Sequence, residues 1–238
     1  MSSLKPTHRI NHNRPHQLFS TPKQHAQQCL FVAVTMGQTD QLTEMLKDPE
    51  NIQLINGQDY LGRTPLMIAI SSSNTAMCQL LLSQKNININ LKTYLEQKNA
   101  LIMASERGLK SVVQILLTLN AVVDDVDLEH KTALMHAVEN GSSLIVSILL
   151  DAKSGVNLRD VNGRTALIYS VKNRSFNLLS KPNLKLIKCL LKAGALTEIK
   201  DKSNKDVLDY VEEPSKRTEL SQFFDKTLKK YVEDGTYE

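Results

Sequence analysis

Three histidines near the N-terminus are the first residues whose spacing could bind a metal. His8, His12 and His16 stand at i, i+4 and i+8, a spacing that would align three imidazoles along one face of an α-helix. Imidazole nitrogens suit zinc or nickel. Pro15 interrupts any such helix, and no cysteine or carboxylate nearby supplies a further ligand. We therefore expect neither a metal site nor a cofactor.

The second candidate is the acidic cluster of Asp124, Asp125 and Asp127. Clustered carboxylates can bind calcium, but a calcium loop also needs a glycine at its sharp turn and a glutamate at its far end. Neither residue stands at the required spacing from these aspartates. We interpret the cluster as part of a structural turn, in which an aspartate accepts hydrogen bonds from nearby backbone N–H groups.

Catalytic signatures are absent from the sequence. No stretch matches a phosphate-binding glycine loop, a dinucleotide fingerprint, a nucleophile elbow or the ligand spacing of a zinc site. Cys29, Cys78 and Cys189 are odd in number and stand among apolar helix residues, which predicts reduced, packed thiols instead of a disulfide framework. We expect no enzymatic activity and no small-molecule substrate.

The residues around these candidates belong to a repeated phrase. DVNGRTAL at 160–167 recurs as DYLGRTPL at 59–66 and as DLEHKTAL at 127–134, with Asp, Thr and Leu in the same places. Each copy is followed by a short apolar helix pattern, a break, a second helix pattern that ends in a leucine pair, and a turn of small residues. The leucines that mark successive units are Leu30, Leu66, Leu101, Leu134, Leu167 and Leu208, and the underlying period is 33 residues.

A repeat of this length, with two helices and a hairpin turn, resembles the ankyrin repeat. The Thr-Pro-Leu-His-x-Ala stretch of that family stands here as TPLMIA at 64–69 and as TALMHA at 132–137. His136 follows the family's histidine position by one residue, so we expect it to be packed or half-exposed. The resemblance covers roughly residues 24–224 and implies an all-α ankyrin-repeat solenoid of five to six helix-turn-helix units with short hairpin turns between them.

The repeat divides the chain into a tail, a repeat domain and a short end. We expect residues 1–20 to form a disordered basic tail and residues 233–238 a frayed C-terminus. The repeat domain is predicted at 21–232, with units one to six at 21–58, 59–91, 92–126, 127–159, 160–200 and 201–232. The last unit is a cap, which a helical stripe of apolar residues closes. The stripe consists of Leu220, Phe223, Phe224, Leu228 and Tyr231.

Some units depart from the common phrase. Tyr94 and Asn99 occupy the Asp and Thr positions of unit three. Ser73 replaces the glycine that is usual between the two helices of a unit. His130 occupies a hairpin position where glycine is usual and where a positive φ is needed.

In unit five the leucine pair comes eight residues late, which predicts an insertion within Asn173–Asn183 between the two helices. This insertion is either a surface loop with a recognition role or a structural segment that covers the second helices and lengthens the first helix by a turn.

The net charge of +4 is concentrated at the N-terminus. Lys5, Arg9, Arg14 and Lys23 precede the first acidic residue, Asp40, and the charges of the remaining chain balance. This distribution disfavours a repeat domain built for nucleic acid, although the tail offers one alternative function: it would act on nucleic acid or on an acidic surface. No apolar run is long enough to span a membrane, and no secretory signal precedes the repeats. We expect a cytoplasmic or nuclear protein.

The resemblance implies that the hairpin tips and the exposed face of each first helix line a concave groove that binds partners. Exposed leucines and tyrosines inside a charged rim are typical of residues that concentrate binding energy. The candidate partner-binding residues are Tyr60, Leu61, Arg63, Tyr94, Leu95, Lys98, Arg107, Leu128, Glu129, Lys131, Glu139, Asn140, Arg164, Lys172, Asn173 and Phe176.

We therefore expect a monomeric, non-catalytic adaptor or scaffold whose groove binds another protein or a peptide. The second alternative is a secreted bacterial effector that would use the same groove on a host protein.

Overall fold

The structure, a computed structural model, describes residues 21–172, 179 and 181–234 of the 238-residue chain. Within these ranges short turns join α-helices, and the only β-pairing is an isolated bridge between Val126 and Thr132. The helices are α1 (Pro22–Thr35), α2 (Thr39–Met45), α3 (Pro49–Ile52), α4 (Pro65–Ser71), α5 (Thr75–Leu82), α6 (Ala100–Glu106), α7 (Lys110–Thr118), α8 (Ala133–Glu139), α9 (Ser143–Asp151), α10 (Ala166–Lys172), α11 (Lys181–Lys192) and α12 (Pro214–Glu233). The predicted all-α repeat fold is confirmed.

The first helix of each central unit begins at the threonine position of the repeat. Thr132 Oγ accepts a hydrogen bond of 3.3 Å from the backbone N–H of Met135 and so satisfies one of the free N–H groups at the start of α8. Thr64, Asn99 and Thr165 cap α4, α6 and α10 in the same way. These side chains therefore fix the point at which each hairpin turn becomes a helix.

The helices form two layers. The first helices of the units, α1, α4, α6, α8 and α10, pack side by side in one row, and the second helices, α2, α5, α7, α9 and α11, form the other. The marker leucines Leu30, Leu66, Leu101, Leu134 and Leu167 are all buried between the layers. Because each unit packs mainly on its neighbours, the core is continuous along the stack.

Tight turns lie between the two helices of a unit and at the hairpin that precedes each first helix. Ser73 has a φ of 55° in the break between α4 and α5, and His130 has a φ of 57° in the hairpin before α8. Glycines hold the equivalent conformation at Gly108 and Gly163. The predicted positive φ at His130 is confirmed, and Ser73 adopts the same conformation, so both turns form without glycine.

The loops that follow the second helices are tied together by side chains at a spacing of 33 or 34 residues. Asn56, Asn90, Asp124 and Asn157 each accept a hydrogen bond from a backbone N–H of the next unit. Asp124, for example, accepts from Gly155 N–H at 2.9 Å. This series fixes the loops of successive units relative to one another.

Unit five has a longer second helix. The first helix, α10, has 7 residues like α4, α6 and α8, whereas α11 has 12 residues compared with 8 or 9 in α5, α7 and α9. Asn183 is buried within α11. The extra length that the structure describes extends the second helix. The predicted lengthening of the first helix concerns the residues directly after Lys172, which lie outside the described residues. The rest of the predicted insertion, 173–178 and 180, lies outside the described residues.

The C-terminal helix covers the last face of the stack. Leu220 and Phe224 of α12 are buried, while Phe223, Leu228 and Tyr231 pack against the core from its edge. A 3-10 turn, Leu208–Tyr210, connects α12 to the last hairpin. No helix in the described ranges has the length and apolar character needed to cross a membrane.

Candidate partner-binding surface

Four hairpin turns share one hydrogen-bond pattern built on an aspartate. Asp127 Oδ1 accepts from the backbone N–H groups of Glu129 and Lys131, both at 2.9 Å. Asp59, Asp160 and Asp201 accept from the second and fourth residues after them in the same way. The N–H of each aspartate also donates to the carbonyl of the fourth residue, which closes the turn. The turn shape is therefore set locally, as the sequence predicts.

Unit three closes its turn with a different residue. Thr93, and not Tyr94 in the predicted Asp position, exchanges hydrogen bonds with Lys98: its N–H donates to the Lys98 carbonyl, and its hydroxyl accepts from the Lys98 N–H. The turn is one residue longer than the others as a result. Tyr94 lies within this turn, and its ring lies against Gly62 of the preceding unit, where a side chain would collide with it.

Neighbouring hairpin tips are joined directly through their backbones. Tyr94 N–H donates to Leu61 O at 2.9 Å, and Leu128 N–H donates to Glu96 O at 2.8 Å. Units five and six continue the series through the hydrogen bonds of Val161 to Glu129 and of Lys202 to Asn162. Units two to six therefore present one connected edge instead of independent loops.

An apolar side chain projects from the tip in each of four units. Tyr60 is 85% exposed, Leu95 70% and Leu128 64%, and Val161 is partly exposed at the same place in unit five. We call these four residues the apolar tip row. Leu61 is half-buried, and Tyr94 adds a further exposed ring between Tyr60 and Leu95 in the chain. Large apolar groups held in water along one edge favour recognition of another surface.

Ion pairs lie behind the tip row in units three and four. Lys98 Nζ lies 3.0 Å from Glu106 Oε2, and Lys131 Nζ lies 3.1 Å from Glu139 Oε2. Glu129 adds a second carboxylate at 3.3 Å from Lys131. Burial lowers the pKa of Lys131, but Glu139 and Glu129 outweigh it and hold the pKa above its usual value. Lys131 is therefore a fixed cation in the groove.

Two cavities open on this surface. The first, of about 470 Å³, lies between units three and four and is lined by the exposed Leu95 and Leu128 at its rim and by Lys98, Lys131 and His136 deeper in. The second, of about 650 Å³, lies between units five and six. Its wall includes Tyr169, Lys172, Lys205 and Tyr210. Hence most of the predicted groove residues of units three to five lie on or beside one of two concave sites.

Sequence reasoning missed a set of polar residues that line these cavities. His136 Nε2 lies 2.8 Å from Asp127 Oδ2, and the Tyr169 hydroxyl donates to Asp160 Oδ2 at 2.6 Å. Tyr210 donates to Asp201 in the same way. Each of these three residues follows its aspartate by nine positions, and this common spacing is the signal that could have identified them.

These contacts also shift the pKa values of Asp127 and Tyr169. Burial raises the pKa of Asp127, but hydrogen bonds from His136 and from the backbone of Lys131 outweigh it and hold the pKa below its usual value. Burial raises the pKa of Tyr169, and the hydrogen bond to Asp160 raises it further. The Tyr169 hydroxyl therefore stays protonated as the donor of this hydrogen bond.

The remaining predicted residues lie at different places. Arg63 pairs with Asp59 at 2.8 Å and, with Tyr60 and Leu61, lies outside both cavities at the unit-two end. Asn140 lines the first cavity and donates to Glu106 O at 3.0 Å.

Three further predicted residues are not among the described residues that line the two cavities. Arg107 is exposed at the C-terminal end of α6 and does not line either cavity. Asn173 and Phe176 lie outside the described residues.

The carboxylates of the acidic cluster have separate partners. Asp124 accepts from Gly155, Asp125 pairs with Lys92, and Asp127 organises its hairpin. In the described ranges no group of three or more His, Cys, Asp or Glu side chains is arranged to hold a metal ion, and His8, His12 and His16 lie outside those ranges.

The three cysteines are free, as expected, but only one is fully packed. Cys78 is buried, and burial raises the pKa of its thiol to about 12. Cys189 is partly buried and packs against the core, as predicted, whereas Cys29 is partly exposed and does not belong to the core. A thiol with a raised pKa is a poor nucleophile, so Cys78 is a core residue.

Comparisons with known proteins agree with this architecture. A family profile described as ankyrin repeats (3 copies) matches residues 11–93, 30–128 and 101–202. The solved ankyrin-repeat protein EF0377 is 25% identical, with a TM-score of 0.72 over 82% of this chain and 96% of that one. An ankyrin-repeat domain from Acinetobacter baumannii AYE is 24% identical, with a TM-score of 0.72 over 84% of this chain and 95% of that one. A comparison with curated protein sequences gives no match.

Ankyrin repeats are generally protein–protein interaction modules, and their fold is typically non-catalytic. The profile matches together extend over residues 11–202, which is more than half of the chain. With the helix pairs, the aspartate hairpins and the tip-to-tip hydrogen bonds described above, they identify the chain as a member of the ankyrin-repeat family.

Proposed function

We propose that this protein is a non-catalytic adaptor or scaffold that binds a segment of another protein along the apolar tip row and in the cavities behind it. Candidate contacts are the predicted residues of units two to five. Asn173 and Phe176 belong to the proposal because Asn173 directly follows Lys172, the last residue of α10, and Phe176 comes three positions after Asn173 in the chain.

The observation that carries this proposal is the exposure of Tyr60, Leu95 and Leu128 on a connected edge. Isolated exposed leucines are common on soluble proteins and need no explanation. Here the apolar groups recur at one position of successive units, and backbone hydrogen bonds fix the tips relative to one another. A rigid surface loses little conformational entropy on binding, which favours affinity.

The composition behind the tips supports a protein partner. The first cavity combines apolar Leu95 and Leu128 with the paired charges of Lys98, Lys131 and Glu139. Interfaces concentrate binding energy in apolar or aromatic groups at the centre, and the charged groups around them add specificity.

The proposal is tested with the partner found by affinity capture and mass spectrometry. The double variant Tyr60→Ala with Leu95→Ala is expected to weaken binding more than tenfold, about 1.4 kcal/mol or more, because it removes two exposed apolar contacts. Binding is measured by titration calorimetry, and circular dichroism checks that the helical content is unchanged.

The matched control is Leu144→Ala. Leu144 is 54% exposed on α9, in the layer of second helices, so its loss removes similar apolar area away from the tips. We expect the control to bind like the wild type. Equal affinity of the double variant and the control would reject the tip row as the interface.

A further inference from the structure

Unit five breaks a charge pattern that units three and four share. In each unit one groove residue precedes the threonine position, and another ends the first helix. In units three and four these are a lysine and a glutamate, which pair as Lys98 with Glu106 and as Lys131 with Glu139. In unit five they are Arg164 and Lys172. A cation therefore stands where the preceding units place a carboxylate.

Arg164 and Lys172 have different surroundings. Arg164 is directed to unit six, where its Nε lies 3.3 Å from the Tyr210 hydroxyl and 3.8 Å from Asp201 Oδ2. No carboxylate of the described ranges forms an ion pair with Lys172, whose Nζ lies 5.9 Å from the centre of the Tyr169 ring. Lys172 thus lies at the groove and has no ion-pair partner in the described ranges, whereas Glu106 and Glu139 at the same position of units three and four each pair with a lysine.

The electrostatic surroundings disfavour the charge of Lys172 in the free protein. Burial lowers the pKa of Lys172, and the Arg164 guanidinium lowers it further. The Lys131 ammonium acts in the same direction, with its Nζ 4.9 Å from the same Tyr169 ring. Glu139 and Asp160 oppose this shift but do not cancel it. An additional negative charge at this place would relieve the repulsion.

The carboxylates near Lys172 are already engaged. Glu139 pairs with Lys131, and Asp209 pairs with Arg217 at 2.9 Å. Glu212 also has an interaction partner. Lys205, on the same cavity wall, forms no ion pair within the described ranges and lies 5.7 Å from the ring of Tyr210. Within the part of the chain that the structure describes, the charged side chains of this wall that form no ion pair are therefore Lys172 and Lys205.

We propose that Lys172, with Lys205 across the same cavity, binds a carboxylate of the partner segment. An Asp or Glu of the partner then takes the place that Glu106 and Glu139 fill in units three and four. The inference rests on the proposed function and specifies it, because it makes unit five the part of the groove that recognises an acidic residue of the partner.

The test uses the full chain and a displayed library of random 12-residue peptides. Peptides are selected in parallel on the wild type and on Lys172→Glu, which restores the residue type of units three and four beside Arg164. We expect the wild type to select peptides with Asp or Glu at a fixed distance from an apolar residue. A synthetic copy of such a peptide should bind Lys172→Glu at least tenfold more weakly by fluorescence anisotropy, and exchange of its acid for lysine should reverse the preference.

Two further variants complete the experiment. Lys185→Glu changes the same charge on the exposed face of α11 and should alter peptide binding less than twofold. Lys172→Met removes the charge, keeps an unbranched apolar stem and should also lose affinity for the acidic peptide, which preserves the test if Lys172→Glu does not fold.

The outcomes separate the two proposals. Peptides that lose affinity for Leu95→Ala but bind the wild type and Lys172→Met equally would overturn the carboxylate site and leave the groove function intact. Peptides insensitive to Leu95→Ala and Lys172→Glu alike, or no selected peptides at all, would overturn both.

Discussion

At the scale of single residues, each hairpin aspartate of units four to six uses both oxygens of its carboxylate. Oδ1 accepts two backbone N–H groups, and Oδ2 contacts a side chain on the helix that follows, as in the pair of Asp127 and His136. The hairpin is therefore bonded to its own helix. Unit two has Ile68 at the corresponding position, and there Arg63 approaches Asp59 Oδ2 at 2.8 Å instead.

These contacts predict a loss of stability in acid. The pKa values of Asp59, Asp127 and Asp201 lie below the usual 3.8 in the folded protein. As the pH falls, the unfolded chain binds protons before the folded one. The stability that these carboxylates contribute is therefore present above pH 3.8 and is lost as the pH falls through their lower folded values.

Asp127→Asn tests this prediction. The variant is expected to lose about 1–3 kcal/mol at pH 7, because His136 and two N–H groups lose a charged acceptor. Urea unfolding between pH 7 and pH 3 should also show a smaller acid dependence than in the wild type. The control Asp225→Asn, at an exposed position of α12, should leave both quantities unchanged. An acid dependence as steep in Asp127→Asn as in the wild type would contradict the assignment.

The residue-scale features that the sequence could predict are local ones. Asp, Thr and the positive-φ residue of each turn lie within six positions, so their hydrogen bonds follow from spacing alone. The role of Thr93 could not be predicted, because a hydroxyl one residue earlier can replace a carboxylate only if the turn lengthens. The contact of His136 with Asp127 depends on the hairpin folding back over its helix, and its one signal in the sequence is the nine-residue spacing that units four to six share.

At the scale of helices and turns, the C-terminal cap is an amphipathic helix that packs on the stack through one face only. One face of α12 packs on α11 and on the Leu208–Tyr210 turn, and its other face is charged. The stripe of five apolar residues predicts this orientation because its spacing is helical. The helix that lengthens in unit five could not be predicted, since Asn173–Asn183 has apolar residues that suit a loop, the first helix or the second helix.

A truncation after Asn204 tests the cap. The shortened chain lacks α12 and Tyr210, so the buried faces of α11 and the Asp201 carboxylate lose their cover. We expect aggregation or early melting of the C-terminal units, measured by light scattering and by hydrogen exchange. A chain ending at Asp234 keeps all of α12 and should behave like the full protein. A monomeric truncated chain with an unchanged melting curve would contradict a capping role.

At the scale of the whole molecule, stability is shared along a stack without a single centre. Leu134 is fully buried in unit four, and α8 contacts both α6 and α10. Leu134→Ala is expected to cost about 2–5 kcal/mol and to speed hydrogen exchange in units three and five as well as in unit four. The exposed Leu144→Ala should cost less than about 0.5 kcal/mol. Faster exchange confined to unit four would show that the units are not coupled in this way.

The location of the groove follows from the repeat, but its detail does not. The sequence places Leu95 and Leu128 at one position of successive units, and Lys98 and Lys131 at another, so their common edge can be predicted. The two cavities depend on how neighbouring units pack. The second cavity is lined by Tyr169, Lys205 and Tyr210, and the sequence of one unit alone does not indicate that these residues face a cavity.

The central claim, that the tip row of the groove binds a protein partner, is tested most directly by site-specific photo-crosslinking. A photoreactive amino acid is placed in turn at Leu95, Leu128 and Leu144, and the crosslinked proteins are identified by mass spectrometry. The account predicts that Leu95 and Leu128 crosslink to the same segment of the same protein, that the double variant of Tyr60 and Leu95 competes poorly for it, and that Leu144 does not crosslink. Crosslinks from Leu144 to that protein, with none from Leu95 and Leu128, would contradict it.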